Sequence, residues 1–535
     1  MDPAAHIVRD LQRPAAYPFP VERVGLRQTH VSWLFFAGDH VYKVKKPVDL
    51  GFLDFTDLAQ RRHFCEEEVR LNRRLAPHVY LGLVPITRSP TGRLRFGSVG
   101  ETVDWAVEMV RLPERRMLSN LLDRGEIDNT EMNEAVALLA RFHAESATGP
   151  GVDEYGSPEA IAANVEQNFE QLRPFVATGK TGAAGLSVLS PRQHAFLCAR
   201  ARGFLDDRRE LLERRVREHR IREGHGDLHA ENLCFTDAGL VAYDCLEFSR
   251  ALRCGDVASD LAFLAMDLDF RGYPGFSGYL AKRYAKVTGD AELPALLPFY
   301  KGYRAVVRGK VAALTAVDPE VDWARREELR CRAMRYLQLA AAYELPPSMI
   351  LMCGLPGCGK SWLAKRLAGA LRAAVLHSDV RRKLLAGVAP TTRVHEGYET
   401  GLYAPEVKER TYRSLLRGAL DNLRAGHSVI VDATFSRKHY RSAFVDAAAR
   451  LELPYYVLHV TADDAVIRER LARRRNETRE VSDADLDVYL RERIAFEPPE
   501  EVPHRHLVAS VSGAGIPEAQ SSIVIDRMIE LREGR

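Results

Sequence analysis

The sequence predicts two domains of different fold class: a bilobal α+β domain followed by an α/β domain built on a parallel sheet. A chain of 535 residues is too long for one ordinary hydrophobic core, so more than one domain is expected. The first hundred residues contain β-prone runs, and helical patterns dominate from about residue 130. Beyond Pro346-Pro347, short apolar strands alternate with amphipathic helices, as they do in α/β proteins.

The first domain begins with a predicted hairpin. The stretch HVSWLFFAGDHVYKVKKPV has two β-prone runs around a turn at residues 37–39. The stretch RRHFCEEEVRLNRRLAP then predicts a helix, and TVDWAVEMV predicts another strand before the helical region. A small strand-rich lobe followed by a larger helical lobe is the layout of a protein-kinase-like fold, which we predict for residues 1–345.

The second domain is predicted for residues 348–535. A long helical pattern at about 323–343 stops at Pro346-Pro347, and the apolar run MILMC then reads as a buried parallel strand. Alternation of strands with helices indicates a parallel sheet covered on both faces. The strand candidates are 349–353, 373–377, 428–432, 455–461 and 507–511.

Composition and charge exclude several classes of protein. The net charge of +3 is low for a dedicated nucleic-acid coat. No apolar run is long enough to span a bilayer, and the N-terminal stretch lacks the apolar segment of a signal peptide. The eight cysteines are scattered without zinc-site spacing, which fits a reducing compartment. We therefore expect a cytoplasmic protein without a membrane partner.

The stretch HGDLHAEN, followed by DCLEF, carries the first candidate site. A kinase of this fold positions a hydroxyl, neutralises phosphate charge and holds magnesium. Asp227 is the candidate base for the hydroxyl proton, and Asn232 and Asp244 are candidate metal ligands. Each feature alone also fits a turn or a helix cap; it is their order and spacing that favour catalysis.

The same chemistry requires a lysine on a strand and a glutamate that orients it. The stretch HVYKVKK offers Lys43 and Lys45, which share one strand face because side chains alternate with period two. We prefer Lys43, beside a small apolar Val41 that suits an adenine pocket. The orienting residue is Glu67, with Glu68 as the alternative. A charged edge strand is the structural alternative for this stretch.

These segments resemble the aminoglycoside phosphotransferase-like kinase superfamily, whose catalytic loop reads H-G-D-x-x-x-x-N. The stretches YKVKKPVDLGFLDF, EEEVRLNRRLAP and DCLEFSRALRCGDVASDLAFLAMDL also resemble bacterial proteins that join such a domain to a P-loop kinase. The resemblance implies Asp227 as catalytic base and Asn232 and Asp244 as magnesium ligands. This sequence departs from the family in having no obvious Gly-rich loop, and in following Asp244 with Cys-Leu-Glu.

The stretch GLPGCGKS matches the G-x-x-x-x-G-K-S phosphate-binding motif between an apolar strand and a helix. Backbone N–H groups of this loop and the helix N-terminus can surround phosphates. The lysine would reach the β- and γ-phosphates, and the serine hydroxyl would bind Mg²⁺. The expected nucleotide-binding residues are Gly354, Gly357, Cys358, Gly359, Lys360 and Ser361.

Three further features of the second domain favour phosphate transfer over mechanical work. VLHSDVRRKLL resembles the D-x-x-R element of small P-loop kinases, including polynucleotide kinases. That resemblance implies that Asp379 activates the acceptor hydroxyl and that Arg382 holds a substrate anion. VIVDATF ends a buried strand in Asp432, a candidate metal-organising carboxylate. Helix caps and strand-end hydrogen bonds are the structural alternatives.

The third feature is an arginine-bearing helix and lid. Arg470 and Arg474 lie four residues apart on one helical face and would meet the triphosphate. A solvated surface is the structural alternative. The domain is also short for the extra helical lid and second arginine finger of a mechanochemical AAA-type ring ATPase, so a kinase is favoured.

The phosphate acceptor is expected to be an unknown molecule with a hydroxyl group. Lys301, Arg304 and Arg308 share a helix face, and an anionic acceptor follows if that face lines the cleft. The alternative is a solvated or ion-paired face. Basic clusters at 381–383 and 473–475 allow a nucleic-acid end as acceptor without requiring it.

Together the motifs predict a bifunctional kinase with two ATP and Mg²⁺ sites, both built for phosphoryl transfer to hydroxyl groups. One alternative is that one domain is a catalytically silent, ATP-sensing module that regulates the other. A further alternative is a nucleic-acid end-binding protein that uses nucleotide as a switch, which would bind with steep salt dependence.

Overall fold

The computed structural model divides the described chain into two compact units. The described residues are 3–49, 53–177, 186–389, 392, 401–474, 486–511 and 517–534. The first unit comprises residues 1–162, 208–268 and 275–300, and the second comprises 163–207, 269–274 and 301–535. The two units group residues that lie close together in space, so each contains several separate stretches of the chain. The domain boundary expected at Pro346-Pro347 is a position along the sequence, and it stays a prediction.

The small lobe of the first unit is a six-stranded antiparallel sheet with strand order β1-β2-β3-β6-β4-β5. The hairpin expected from the sequence is formed by β2 and β3, which turn at Gly38 with φ +58°. The elements of this lobe are α1 (Pro3–Leu11), β1 (Val24–Gln28), β2 (Ser32–Ala37), β3 (His40–Lys45), α2 (Leu58–Asn72), β4 (Tyr80–Arg88), β5 (Leu94–Phe96) and β6 (Glu101–Val110).

The two faces of β3 serve different purposes. Tyr42 and Val44 point into an aromatic and aliphatic core on one face of the sheet. Val41 points to the other face, where it packs in a core with Cys65 and Val69 of α2. Because side chains alternate along a strand, Lys43 and Lys45 share the face with Val41 and therefore face α2.

The chain from the small lobe to Pro346 is mainly helical. Two short antiparallel pairs, β7 with β10 and β8 with β9, interrupt the helices. The elements are α3 (Leu118–Arg124), α4 (Asn129–Glu145), α5 (Pro158–Leu172), α6 (Pro191–Asp207), α7 (Arg209–Arg217), β7 (Ile221–Glu223), β8 (Leu233–Thr236), β9 (Gly239–Ala242), α8 (Arg250–Arg253), β10 (Cys254–Asp256), α9 (Val257–Phe270), α10 (Pro274–Thr288), α11 (Leu293–Ala316) and α12 (Trp323–Glu344). Across the described residues, no helix combines the length and the apolarity needed to cross a membrane.

The second unit contains a five-stranded parallel sheet with order β12-β13-β11-β14-β15, which confirms the α/β prediction and the five strand candidates. All five residues of β11 are buried, as expected for a central parallel strand covered on both faces. The elements are β11 (Met349–Cys353), α13 (Lys360–Leu371), β12 (Ala374–His377), α14 (Ser378–Leu385), α15 (Pro405–Arg424), β13 (Val429–Asp432), α16 (Lys438–Arg450), β14 (Tyr455–Thr461), α17 (Asp464–Arg474), α18 (Leu486–Ala495), β15 (Leu507–Val511) and α19 (Pro517–Arg532).

The cationic face expected on α11 is largely engaged within the second unit. The ammonium of Lys301 is buried and lies 2.7 Å from the Asp269 carboxylate. The guanidinium of Arg308 lies 5.9 Å from the centre of the Tyr336 ring. The ion-paired alternative therefore applies to Lys301, and this face gives no independent reason for an anionic acceptor.

Candidate functional site

Lys43 lies in a buried cluster of opposite charges in the first unit. Its Nζ is 2.8 Å from Glu68 Oε1 and 2.6 Å from Asp244 Oδ1. Burial alone would lower the pKa of Lys43, but the carboxylates of Asp244 and Glu68 raise it well above its ordinary value. The lysine is therefore held charged and directed towards the candidate metal ligand.

The carboxylate that orients Lys43 belongs to Glu68, and the expectation of Glu67 is corrected. Glu68 is fully buried and contacts both lysines of β3, whereas Glu67 forms an ion pair at 2.8 Å with the half-exposed Arg70. Successive residues of a helix point about 100° apart, so only one of the two can face the sheet. The packing of α2 selects Glu68.

Lys45 extends the same cluster. Its ammonium lies 2.8 Å from Glu68 Oε2 and also pairs with Glu247, three residues after Asp244. Burial opposes ionisation of Glu68, yet Lys43 and Lys45 lower its pKa to about 2. One buried glutamate thus bridges two lysines, and the departure Cys-Leu-Glu after Asp244 supplies the counter-charge for the second lysine.

The loop that carries Asp227 is held from behind by Asp260 of α9. The carboxylate of Asp260 accepts hydrogen bonds from the backbone N–H groups of His225 at 2.6 Å and Gly226 at 2.9 Å. The amide of Asn232 donates to the backbone oxygen of Asp227 at 3.0 Å. The structure therefore brings Asp227 and Asn232 together on one braced loop. The contact between Asp260 and this loop could not be predicted from the sequence, because it depends on how α9 packs against the loop.

Asp244 has a backbone conformation that L-residues seldom adopt, with φ +62°. Its N–H donates to the Tyr80 hydroxyl at 3.1 Å, and the next N–H, of Cys245, donates to the Asn72 side chain at 2.8 Å. Such strained residues persist where surrounding contacts determine them, and they concentrate at functional sites. The Asp244 side chain is 48% exposed, so it remains accessible to a ligand.

The phosphate-binding loop of the second unit follows β11 as expected. Gly354 has φ +149°, and a Cβ there would lie 2.3 Å from the backbone oxygen of Val460, so only glycine fits. Gly357 and Gly359 also have positive φ values, of +80° and +100°. Lys360 donates from Nζ to the backbone oxygen of Leu355 at 2.8 Å, which folds the side chain over the loop.

Cys358 differs from the other loop residues expected to bind nucleotide. Its side chain is 1% exposed and lies 3.9 Å from the Lys360 ammonium. Its N–H donates to the backbone oxygen of Leu355 at 3.3 Å. The cysteine therefore packs inside the loop, and its N–H has an internal acceptor.

Ser361 and Asp432 meet at the carboxyl edge of the parallel sheet. The serine hydroxyl hydrogen-bonds to the Asp432 carboxylate, and His377 Nδ1 lies 2.8 Å from Asp432 Oδ2. Burial opposes ionisation, but hydrogen bonds from His377 and Ser361 and the charge of Lys360 lower the pKa of Asp432. The carboxylate is therefore ionised beside the loop lysine and serine.

His377 is a site residue that sequence reasoning missed. It ends β12, directly opposite Asp432 at the end of the parallel neighbour β13. The hydrogen bond to Asp432 raises the pKa of His377. The available signal was its position at a strand end two residues before Asp379, but its partner follows only from the pairing of β12 with β13.

Asp379 and Arg382 lie in the first two turns of α14 and bind each other. Arg382 Nη1 is 2.7 Å from Asp379 Oδ1, and the guanidinium carbon lies 4.6 Å from the centre of the Tyr403 ring. The Asp379 side chain is 28% exposed and that of Arg382 is 12% exposed. An acceptor anion would have to compete with Asp379 for this arginine.

Arg470 reaches the phosphate-binding loop. Its Nη1 donates to the backbone oxygen of Gly357 at 3.4 Å, so α17 brings a cation to the loop. Arg474 ends the same helix, and its side chain lies outside the described residues. The lid expected between α17 and α18 also lies outside them.

The donor set fits Mg²⁺ that is bound together with nucleotide. Proteins hold Mg²⁺ through one or two carboxylates plus substrate phosphates and water, and its ligands are oxygens. Asp432 with Ser361, and Asp244 with Asn232, are such oxygen donors. Within the described ranges no cluster of three or more His, Cys, Asp or Glu side chains could hold a metal ion by itself.

A described protein family matches part of the chain. Residues 349–499 match the family model described as AAA domain. The chain is 30% identical over 453 residues to uncharacterized protein Rv2004c of Mycobacterium tuberculosis, covering 84% of this chain and 86% of the relative. Uncharacterized protein Mb2027c of Mycobacterium bovis matches to the same extent.

Similar solved structures include kinases of two kinds. A choline/ethanolamine kinase family protein from Mesorhizobium loti is similar over 62% of this chain and 97% of its own, with a TM-score of 0.36 and 14% identity. A gluconokinase from Sinorhizobium meliloti is similar over 36% of this chain and 95% of its own, with a TM-score of 0.26 and 16% identity.

Proposed function

The chain belongs to the same protein family as the mycobacterial protein Rv2004c, and we propose that it is an ATP-dependent phosphotransferase with two nucleotide sites. Each site transfers the γ-phosphate to a hydroxyl group of a small molecule or a nucleic-acid end. The observation that carries the proposal is the meeting of Lys360, Ser361 and Asp432 at the carboxyl edge of the parallel sheet. The AAA-domain match over the same residues supports nucleotide use there.

In the second unit, the chain's own residues bind phosphate and prepare the acceptor. The N–H groups of Gly357, Gly359 and Lys360, at the start of α13, surround the phosphates, and Lys360 neutralises their charge. Arg470 adds a second cation beside the loop. Asp379 accepts the proton of the acceptor hydroxyl once Arg382 turns to an anionic group of the substrate. Bound Mg²⁺ would be held by Ser361 and Asp432 and would supply charge neutralisation.

In the first unit, Lys43 holds the α- and β-phosphates, and Glu68 fixes its direction. Asp227 accepts the hydroxyl proton from a loop that Asp260 keeps in place. Asn232 and Asp244 would hold Mg²⁺. Nucleotide binding must separate Lys43 from Asp244, which now pair directly.

That direct pairing also favours the second candidate function, an ATP-sensing module without transfer. A site whose lysine and metal ligand neutralise each other binds nucleotide at the expense of an internal ion pair. In this reading, nucleotide in the first unit changes only the rate of the second. Comparison of Asp227→Ala with Lys360→Ala distinguishes the two. Two independent losses of activity indicate two enzymes, whereas loss of ATP binding in one unit that alters only the rate of the other indicates regulation.

The decisive test is incubation of the purified chain with γ-labelled ATP and a cell extract. Asp379→Asn should abolish labelling by the second unit and leave ATP affinity within about threefold, because the aspartate acts on the acceptor. Asp421→Asn, an exposed aspartate on α15, is the matched control. Unchanged labelling by Asp379→Asn would refute the assignment of the base.

A further inference from the structure

A cavity lies beside α13, within the second unit. It encloses about 380 Å³, a size typical of small-molecule sites. Three helices, α12, α13 and α19, form its walls together with the end of α9. Its side chains include the cations Arg335, Lys365 and Arg366, the aromatic rings of Phe270 and Trp362, and the polar residues Gln338, Glu518 and Ser521.

The cations of this cavity are not neutralised by ion pairs. In the part of the chain that the structure describes, no carboxylate lies within 4.0 Å of a charged nitrogen of Arg335, Lys365 or Arg366. The neighbouring Arg332, by contrast, pairs with Glu328. Three cations against the single carboxylate of Glu518 give the cavity an excess of positive charge, which suits an anionic ligand.

Two aromatic rings line the cavity, and that of Phe270 is stacked on Tyr336 with ring centres 3.7 Å apart. Arg335 lies with its guanidinium carbon 4.4 Å from the centre of the Phe270 ring, which fixes the guanidinium plane and leaves N–H groups for an anion. Trp362 is 46% exposed, although large apolar side chains are usually covered. The Arg366 guanidinium carbon lies over the Trp362 ring, 5.9 Å from its centre, and the exposed part of the indole is available for stacking.

The floor of the cavity supplies hydrogen-bond partners. Glu518 is 7% exposed, and its backbone oxygen accepts a hydrogen bond from Gln338 at 2.7 Å. That bond fixes α19 against α12. The Glu518 carboxylate forms a hydrogen bond with Cys331, and its charge acts on Arg335. Its remaining lone pairs can accept hydrogen bonds from hydroxyl or amino groups, as acidic residues do from the ribose of bound nucleotides.

From these features we infer that the cavity between α12, α13 and α19 binds a nucleoside monophosphate. Its phosphate lies between Arg335, Lys365 and Arg366, its base stacks on Trp362, and its ribose hydroxyls donate to Glu518. The site is separate from the phosphate-binding loop: Ser361 hydrogen-bonds to Asp432, whereas the next residue, Trp362, lines the cavity. Occupancy of the cavity would therefore act on the helix that begins with Lys360.

The test uses the full chain with Lys360→Ala, which disables the phosphate-binding loop, and AMP as the probe. Trp362 is the one tryptophan among the residues lining the cavity, so the fluorescence difference between this protein and the same protein with Trp362→Phe reports on the site. AMP should change that difference signal in a saturable way. Arg335→Gln with Arg366→Gln should weaken AMP binding at least tenfold.

Controls separate a built site from a basic surface. Arg332 lies about one helical turn from Arg335 and is ion-paired with Glu328. Arg332→Gln should therefore leave AMP affinity within about twofold. Adenosine and ribose 5-phosphate should each bind at least tenfold more weakly than AMP. Equal affinity of AMP and ribose 5-phosphate would overturn the stacking role. No saturable signal, or the same affinity in the double variant with unchanged thermal unfolding, would show a solvated surface only.

Discussion

Replacement of Glu68 by Gln tests the charge cluster that positions Lys43. In the folded protein, Glu68 gives one carboxylate oxygen to each of two lysines, both at 2.8 Å. Glutamine keeps one oxygen but presents an NH₂ group to the other lysine, and an amide NH₂ and an ammonium are both donors. One charge-assisted hydrogen bond, worth about 1.5–3 kcal/mol, is therefore lost.

The matched control is Glu67→Gln at the preceding position. Glu67 pairs with Arg70, whose side chain is 48% exposed, and surface ion pairs contribute about 0–1 kcal/mol. The second contact of Glu67, with the buried Arg253, is longer at 3.7 Å, and Arg253 keeps Glu223 as a partner at 3.1 Å. Hydrogen exchange measured by mass spectrometry on peptides from β3 and α2 resolves the two variants. A loss of about 2 kcal/mol raises local exchange roughly 30-fold, whereas the control stays within about fivefold.

The same variant should lower the affinity of the first unit for ATP, because Lys43 loses the carboxylate that directs it. A larger effect of Glu67→Gln than of Glu68→Gln, in exchange or in ATP titration, would refute the placement of α2.

The stabilisation by Glu68 also has a defined pH range. The pKa of Glu68 is about 2, below its usual 4.5, so the stabilisation is complete above about pH 4.5 and is lost as pH falls towards 2.

Two further predictions concern the phosphate-binding loop. Asp432→Asn should reduce turnover by the second unit at least 100-fold. It should also return the pKa of His377 towards its ordinary value, because the hydrogen bond to the Asp432 carboxylate raises that pKa. NMR titration of the imidazole measures the shift, and an unchanged His377 pKa would contradict the pairing. Gly354→Ala should destabilise the second unit by about 2–4 kcal/mol and abolish nucleotide binding, because the added Cβ would lie 2.3 Å from the Val460 oxygen. The control is Gly203→Ala in α6, where nothing lies within 4 Å, and it should stabilise the unit by about 0.5–1 kcal/mol. Equal unfolding midpoints of the two variants would refute the close approach.

The elements that could be predicted are those encoded by short-range pattern. The five parallel strands were located by apolar runs between turn residues, and the phosphate-binding loop was located by glycine spacing after such a run. Positive φ values at Gly357 and Gly359 explain why this spacing is informative, because other residues rarely adopt them. The period of two also placed Lys43 and Lys45 on the same strand face.

The choice between Glu67 and Glu68 could not be made in this way. Helix α2 reads LAQRRHFCEEEVRLN, in which only the pair Cys65 and Val69 packs with Val41 and three consecutive glutamates lie between them. So short an apolar pattern does not decide between adjacent glutamates. The partner of Arg382 could not be predicted from the sequence either. Its position three residues after Asp379 fits an ion pair with Asp379 and equally fits a site for a substrate anion.

The sequence by itself determined the local chemistry of this protein: which segments become strands, where the chain can wrap a phosphate, and which acids follow strand ends. The tertiary structure decided the partners. Asp260 behind the Asp227 loop, His377 opposite Asp432, and Glu68 between two lysines join residues that are 23 to 55 positions apart or lie on separate elements. Such pairings depend on how elements pack and in which register strands pair, and local periodicity carries no information about either.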